Sequence, residues 1–263
     1  MDIVELCDLA DRNTGDTARH FAQHDTGAVV DERAGTLLVA SSAPITSLFH
    51  SSARRFDTKA DPQGVLAATA AFADEHQRRI SLWLSAAADP DVVDAARNAG
   101  LEVDFTLAGM ATRIPPEAGA PVVGVELVRV TDTAGVADFA QVHGELYAQN
   151  GRPADAARHF ASPGVLLASH VTGFVAYLNG RPASCAMIVN TGRASGLFEV
   201  ATSMEARRRG LGELVSRAAT RAGFEYGAEV VVLQATALGE PVYRRIGFET
   251  FTNYGACLIS PPA

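Results

Sequence analysis

Between Ala194 and Glu225 the hydrophobic period of the chain changes once, and any fold must accommodate that change. "ASGLFEVAT" alternates as a strand up to Thr202. From Leu211 onward, Leu211, Leu214, Val215, Ala218 and Ala222 fall on one helical face, with Glu213, Arg217, Thr220 and Arg221 mainly on the other. Between them lies "EARRRGLG", in which three arginines run into Gly-Leu-Gly. A helix that starts from a glycine-containing turn directs unpaired backbone N–H groups toward one point, and its dipole adds partial positive charge there. Gly210 and Gly212 let an anion approach the main chain, and the neighbouring guanidiniums can neutralise it. The spacing is not that of a P-loop, and no acidic residue is placed as in a dinucleotide fold.

The surrounding chain reads as a mixed α/β domain. "VELVRVT" is a strand, "TAGVADFAQVHGELYAQ" a helix, and "GFVAYLNGRPASCAMIVN" two strands around an Asn179-Gly180 turn. Beyond the amphipathic helix, which should end near Gly227, "EVVVLQA" suits a strand buried on both faces. "EPVYRRI" is a short helix with Pro241 in its first turn, and "FETFTNYGACLIS" is predicted as a closing strand pair. The proline-rich segment "IPPEAGAPVVG" reads as a linker, so the expected domains are 1–115 and 125–263, with 116–124 between them.

The halves resemble one another. Ile80–Ile114 and Val230–Ser260 both run strand, loop, short helix ending in Gly, β-rich tail; aligning Gly100 with Gly247 places Leu101 on Phe248, Arg97 on Arg244 and Ala96 on Tyr243. The N-terminal half then reads as a degenerate copy whose runs "TLLVA" and "ISLWL" pair into a buried sheet, without an Arg-x-x-Gly-x-Gly of its own.

A formal charge of −8 disfavours nucleic acid and anionic membranes as general partners, since both reward a basic face. Cys7, Cys185 and Cys257 are far apart and suit reduced thiols of a cytoplasmic protein. "MDIVELCDLADRN" is acidic where a signal peptide is basic, and "GVLLASHVTGFVAYL" is too short and too interrupted to span a bilayer. His20 and His24 have the spacing of a helical metal pair, but nothing nearby suggests a third ligand, and no metal is expected.

Arg207-x-x-Gly210-x-Gly212, after a strand and at the head of a helix, resembles the acyl-CoA signature of the GNAT superfamily of N-acyltransferases. "LQATALGEPVYRRIGFE" is similar to that family's second signature, in which a Tyr precedes Gly-Phe on a short helix. The resemblance covers roughly Val125 to Ser260 and looks especially like a tandem branch; Met204 stands where many members carry proline. It implies two GNAT-like domains, each a central mixed β-sheet flanked by helices, the second binding acetyl-CoA as cosubstrate. Main-chain groups of Val200, Ala201 and Thr202 would pair with the pantetheine arm. The segment Arg207, Arg208, Arg209, Gly210, Leu211, Gly212 and Glu213 would form the cofactor loop, with amides from Arg208 to Glu213 on the pyrophosphate. Tyr243 would protonate the departing thiolate as an amine, on a small molecule or peptide, attacks the thioester.

The amine must also lose a proton. Glu199, on the strand before the loop, is the first candidate base, ahead of His143, Glu145, His159 and His170. Two other classes stay open: a CoA-binding sensor or regulatory pseudoenzyme, and a basic-patch nucleic-acid module, which the net charge disfavours. A homodimer is also left open.

Overall fold

The structure is a computed structural model that describes residues 1–42, 49–149, 151, 157 and 162–262. The chain forms two compact units: Met1–Gly109 with Gln234–Ala237 and Thr250–Ala263, and Met110–Leu233 with Leu238–Glu249. The last strand of the chain therefore belongs to the first unit.

The first unit opens with α1 (Ile3–Gln23), whose N-terminus is capped by the Asp2 side chain accepting from the Glu5 amide at 2.8 Å. There follow β1 (Val29–Arg33), β2 (Thr36–Ala40), β3 (Ser52–Arg55), α2 (Pro62–Glu75), β4 (Ile80–Ser85), α3 (Pro90–Asn98) and β5 (Asp104–Thr112). The chain's final strand, β11 (Glu249–Ile259), enters between β4 and β5, giving the order β1-β2-β3-β4-β11-β5. β3 and β4 run parallel, whereas β11 runs antiparallel to β4 with Tyr254 opposite Ser85 and Ile259 opposite Ile80. Leu38, Phe72, Ile80, Leu82, Leu84 and Val92 are fully buried together, so the sheet and its two short helices share one core.

Two expectations are corrected here. "TLLVA" and "ISLWL" lie in one sheet but do not pair, because the short strand Ser52–Arg55 runs between them. Its sequence, Ser-Ala-Arg-Arg, carries no apolar alternation, yet all four residues are buried, Arg55 on the carboxylates of Asp89 and Asp91. The closing "FETFTNYGACLIS" is one continuous eleven-residue strand and not a pair.

In the second unit the elements are β6 (Val125–Arg129), α4 (Thr133–Gln149), α5 (Pro163–Leu166), β7 (Val171–Leu178), β8 (Arg181–Asn190), β9 (Ala194–Thr202), α6 (Leu211–Glu225), β10 (Val230–Ala235) and α7 (Glu240–Ile246). Its strands are ordered β10-β9-β8-β7-β6. The β7–β8 hairpin turns at Asn179 and Gly180, both at positive φ (51° and 76°), as a tight primed turn requires. α6 lays Leu211, Val215, Ala219 and Ala222 on the sheet. Gly223 permits this approach, since a Cβ there would lie 3.0 Å from that of Ser195.

The resemblance between the halves extends to hydrogen bonding. Leu101 donates to the Ala96 carbonyl and Phe248 to that of Tyr243, each at 3.0 Å. Gly100 and Gly247 occupy the left-handed region between them, so both short helices end in the same glycine cap.

Candidate functional site

The site is organised by an irregularity in β9. Its register against β8 runs Ser184 to Thr202 and Cys185 to Ala201, then shifts so that Met187 faces Phe198. Glu199 and Val200 thus oppose Ala186 alone, forming a bulge, and Glu199 takes φ +52°, a conformation costly for a side chain larger than Gly. Parallel pairing with β10 joins Ala194–Gly196 to Val230–Val232. Among the described residues that pairing does not reach Val200–Thr202; Ala201 and Thr202 instead pair with β8, where the Ala201 carbonyl also accepts from the Ser184 hydroxyl at 2.7 Å.

A buried histidine holds the bulge. His143 on α4 directs Nε2 at the Glu199 carbonyl at 2.8 Å, with the Glu199 carboxylate 3.5 Å away. A carbonyl can only accept, so the ring carries its proton on Nε2. Burial pulls its pKa down to about 4, which keeps the imidazole neutral. His143 stacks on Phe139 and meets Tyr147 edge-on, each one helical turn away. That i, i+4 stripe was the signal available in the sequence; nothing there announced that its target would be a strained carbonyl.

Past Thr202 the chain makes a single 3-10 turn, Met204–Ala206, which forms without a proline at position 204. Arg208 (φ +60°) and Gly210 (φ +83°) then reverse the backbone into α6. Gly210 is the N-cap, and no side chain caps the helix, so its first amides face the loop without a resident acceptor side chain. Arg207, Arg208 and Arg209 are exposed beside them. Gly212 lies against Thr202: an added Cβ would stand 3.2 Å from the Thr202 hydroxyl, itself 2.8 Å from that of Ser184. The one carboxylate in the first turn, Glu213, is turned onto Arg217 (2.8 Å) and Arg245 (3.0 Å). Although partial burial opposes ionisation, these guanidiniums hold its pKa below the usual range, and they cancel charge that would repel an anion.

Arg245 is also the tie between α6 and α7, because Arg217 donates to its carbonyl at 3.0 Å. Tyr243 sits two residues earlier on α7, its ring edge-on to buried Phe248 at 6.0 Å. Burial raises its phenol well above the ordinary range, so it stays protonated through neutral pH.

The remaining candidate bases separate. Glu145 lines a cleft of about 930 Å³ with Ser203–Ala206 and Arg209, beside the loop. His170 precedes β7 at the level of Asn190, at the far end of the sheet from Thr202. His159 lies outside the described residues. His20 and His24 are packed edge to face at 5.1 Å, and among the described residues no cluster of three metal-ligating side chains is found.

Residues 138–248 match the sequence model of the Acetyltransferase (GNAT) family. The fold is similar to that of a GCN5-related N-acetyltransferase from Kribbella flavida (TM-score 0.71, 18% identity, 97% of this chain and 96% of that one). It is also similar to a tandem GNAT protein from the clavulanic acid biosynthesis pathway (TM-score 0.59, 15% identity, 96% and 97%). A third likeness is to a GCN5-related N-acetyltransferase from Sphaerobacter thermophilus (TM-score 0.59, 12% identity, 97% and 90%). No curated protein matches the chain. The bulged strand, glycine loop and uncapped helix all fall within the segment that matches the Acetyltransferase (GNAT) family model.

Proposed function

We propose that this protein is an acetyl-CoA-dependent N-acetyltransferase whose second unit moves an acetyl group to a primary amine. The observation that carries the reading is the Arg207–Gly212 loop. It opens a helix with no capping side chain, directly beyond a strand whose last residues β10 does not pair. Acetyl-CoA supplies the activated thioester. The amides from Arg208 to Glu213 suit its pyrophosphate, with Arg207, Arg208 and Arg209 as counter-charge. Main-chain groups of Val200, Ala201 and Thr202 suit the amides of its pantetheine arm.

In the transfer, a C–N bond forms and the C–S bond breaks. A backbone N–H near Ala201 stabilises the negative charge developing on the acetyl oxygen. Tyr243 gives its proton to the thiolate and recovers one from solvent, while Glu199 takes the proton the amine must lose. His143 acts through Glu199 by fixing the backbone from which that carboxylate and the following amides project. The acceptor amine, on a small molecule or a peptide, would enter from the cleft lined by Glu145, Glu205, Arg181 and Arg209, in which the two charge signs balance. Three buried thiols support a reducing compartment, and we place the protein in the cytoplasm. No described helix is long and apolar enough to cross a membrane.

The first unit differs where it matters for the cofactor. α2 is capped by the Asp61 carboxylate, which accepts from the Gly64 amide at 2.9 Å and puts negative charge where a pyrophosphate would go. Calorimetric titration of acetyl-CoA into the full chain should therefore give one site; a stoichiometry near two would overturn that assignment.

A further inference from the structure

We infer that Arg217 is a positioning residue for the transfer: from α6 it caps the C-terminal turn of α7 and so fixes the direction of the Tyr243 phenol relative to the cofactor loop. The inference rests on the reading of Tyr243 as the acid for the thiolate.

α7 needs such a tie. A helix of seven residues is too short to hold itself together in water, so tertiary contacts decide where it sits. Ile246 is its one buried residue; Val242 and Tyr243 are half-buried, and Arg244 and Arg245 are exposed. Few apolar contacts therefore oppose its rotation. Its last carbonyls show where the tie is made. The Gly247 amide donates to the Arg244 carbonyl at 3.1 Å and the Phe248 amide to that of Tyr243 at 3.0 Å. The Arg245 carbonyl accepts instead from Nη2 of Arg217 at 3.0 Å. A guanidinium placed there also meets the negative end of the helix dipole.

The rest of the Arg217 guanidinium is held from α6 and from the segment before β6. Nε and Nη2 donate to Glu213 Oε1 at 3.0 and 2.8 Å, and Nη1 donates to the Glu117 carbonyl at 3.4 Å. Glu213 completes the clamp, since its Oε2 accepts from Nε of Arg245 at 3.0 Å. One carboxylate in the first turn of α6 thus holds an arginine of each helix. The amides of that same turn are those proposed for the pyrophosphate, so clamp and cofactor share one element. Tyr243 and Arg245 are two residues apart, about 200° around a helix of 3.6 residues per turn. Holding Arg245 on one side therefore sets the direction of the phenol on the other. An acid must come within hydrogen-bond reach of the sulfur, and a misplacement of about 1 Å can cost about 10²-fold in rate.

Arg217→Met keeps an apolar stem and removes the guanidinium. Arg221→Met is the control: it removes an equal charge from the same helix, where Arg221 donates to the Pro116 carbonyl at 3.2 Å and not to α7. Hydrogen exchange of the full chain, read by mass spectrometry on the peptide 238–248, should speed up about tenfold or more in Arg217→Met and keep the parent rate in Arg221→Met. Turnover is followed as thiol release at saturating acetyl-CoA, with water as acceptor and with each amine that gives product. In Arg217→Met, kcat should fall roughly 10- to 100-fold while Kd for acetyl-CoA changes by less than about fivefold. In a Tyr243→Phe background the same change should cost less than about twofold, because coupled sites are not additive. Arg245→Met, which leaves its carbonyl in place, should show the same pattern more weakly and serves if Arg217→Met does not fold. Equal losses of kcat with and without Tyr243, an unchanged exchange rate in α7, or a parent-like kcat would each overturn the inference. Full turnover in Tyr243→Phe, or no thiol release by the wild type, would instead overturn the acid assignment beneath it.

Discussion

Replacing the two loop glycines separates their effects on folding from their effects on the cofactor. Gly212 lies in the first turn of α6 at ordinary helical φ, so Ala there gains about 0.5–1 kcal/mol of helix propensity. The new methyl would sit 3.2 Å from the Thr202 hydroxyl, which must yield by a few tenths of an ångström. The apo melting temperature of Gly212→Ala should therefore stay within a degree or two of the parent, as roughly 2–4 °C corresponds to each kcal/mol in a chain of this size. Gly210 is the opposite case. At φ +83°, an Ala costs about 1–2 kcal/mol and should lower the apo melting temperature by about 2–8 °C.

Both changes should weaken cofactor binding. Wild type at a hundredfold excess of acetyl-CoA over Kd gains about 2.7 kcal/mol, a rise of about 5–11 °C. Losing one charge-assisted contact of about 1.5–3 kcal/mol raises Kd about 10- to 100-fold, so the same ligand concentration should then give only about 1–6 °C. Gly212→Val, with a branched side chain against Thr202, should abolish the shift. Differential scanning fluorimetry with and without acetyl-CoA reads all four values. A full ligand shift in a folded Gly212→Val variant would refute the phosphate-cradle reasoning.

Tyr243→Phe should keep acetyl-CoA affinity and lower turnover by about 10²–10⁴-fold, as read by stopped-flow and steady-state thiol release; unchanged turnover would make the ring a packing residue. His143 has a folded pKa of about 4, below its unfolded value, so its contribution to stability is fully present above about pH 6.5 and is lost as pH falls toward 4. Denaturant titrations should show a loss of a few kcal/mol over that window, reduced in His143→Gln, and a lowered kcat in His143→Leu, which cannot donate to the Glu199 carbonyl.

Legibility of the sequence varied with the range of the interactions involved. The loop was readable because its signals are local: three arginines, two glycines, and a period change on either side. The Asn179-Gly180 hairpin and the glycine caps after α3 and α7 were readable for the same reason. β3 was not, since in Ser-Ala-Arg-Arg the last residue, Arg55, is held by acids at Asp89 and Asp91, more than thirty positions away in sequence. The assignment of the last strand to the first unit was equally hidden, because β11 meets β4 across most of the chain's length. At the candidate site, Glu199 could be placed on its strand by alternation, but the bulge that gives it positive φ has no glycine to mark it. His143 was visible as a candidate base on its helix and not as the partner of that bulge.

The central claim, acetyl transfer by the second unit, is tested most directly by incubating the protein with acetyl-CoA and a panel of amines, amino acids, antibiotics and peptides. Released CoA thiol and acetylated product are measured together. The account predicts that at least one amine yields thiol and N-acetylated product in equal amounts, and that Gly212→Val abolishes both. Saturable acetyl-CoA binding with no product from any amine would contradict it and mark the protein as a cofactor-binding sensor.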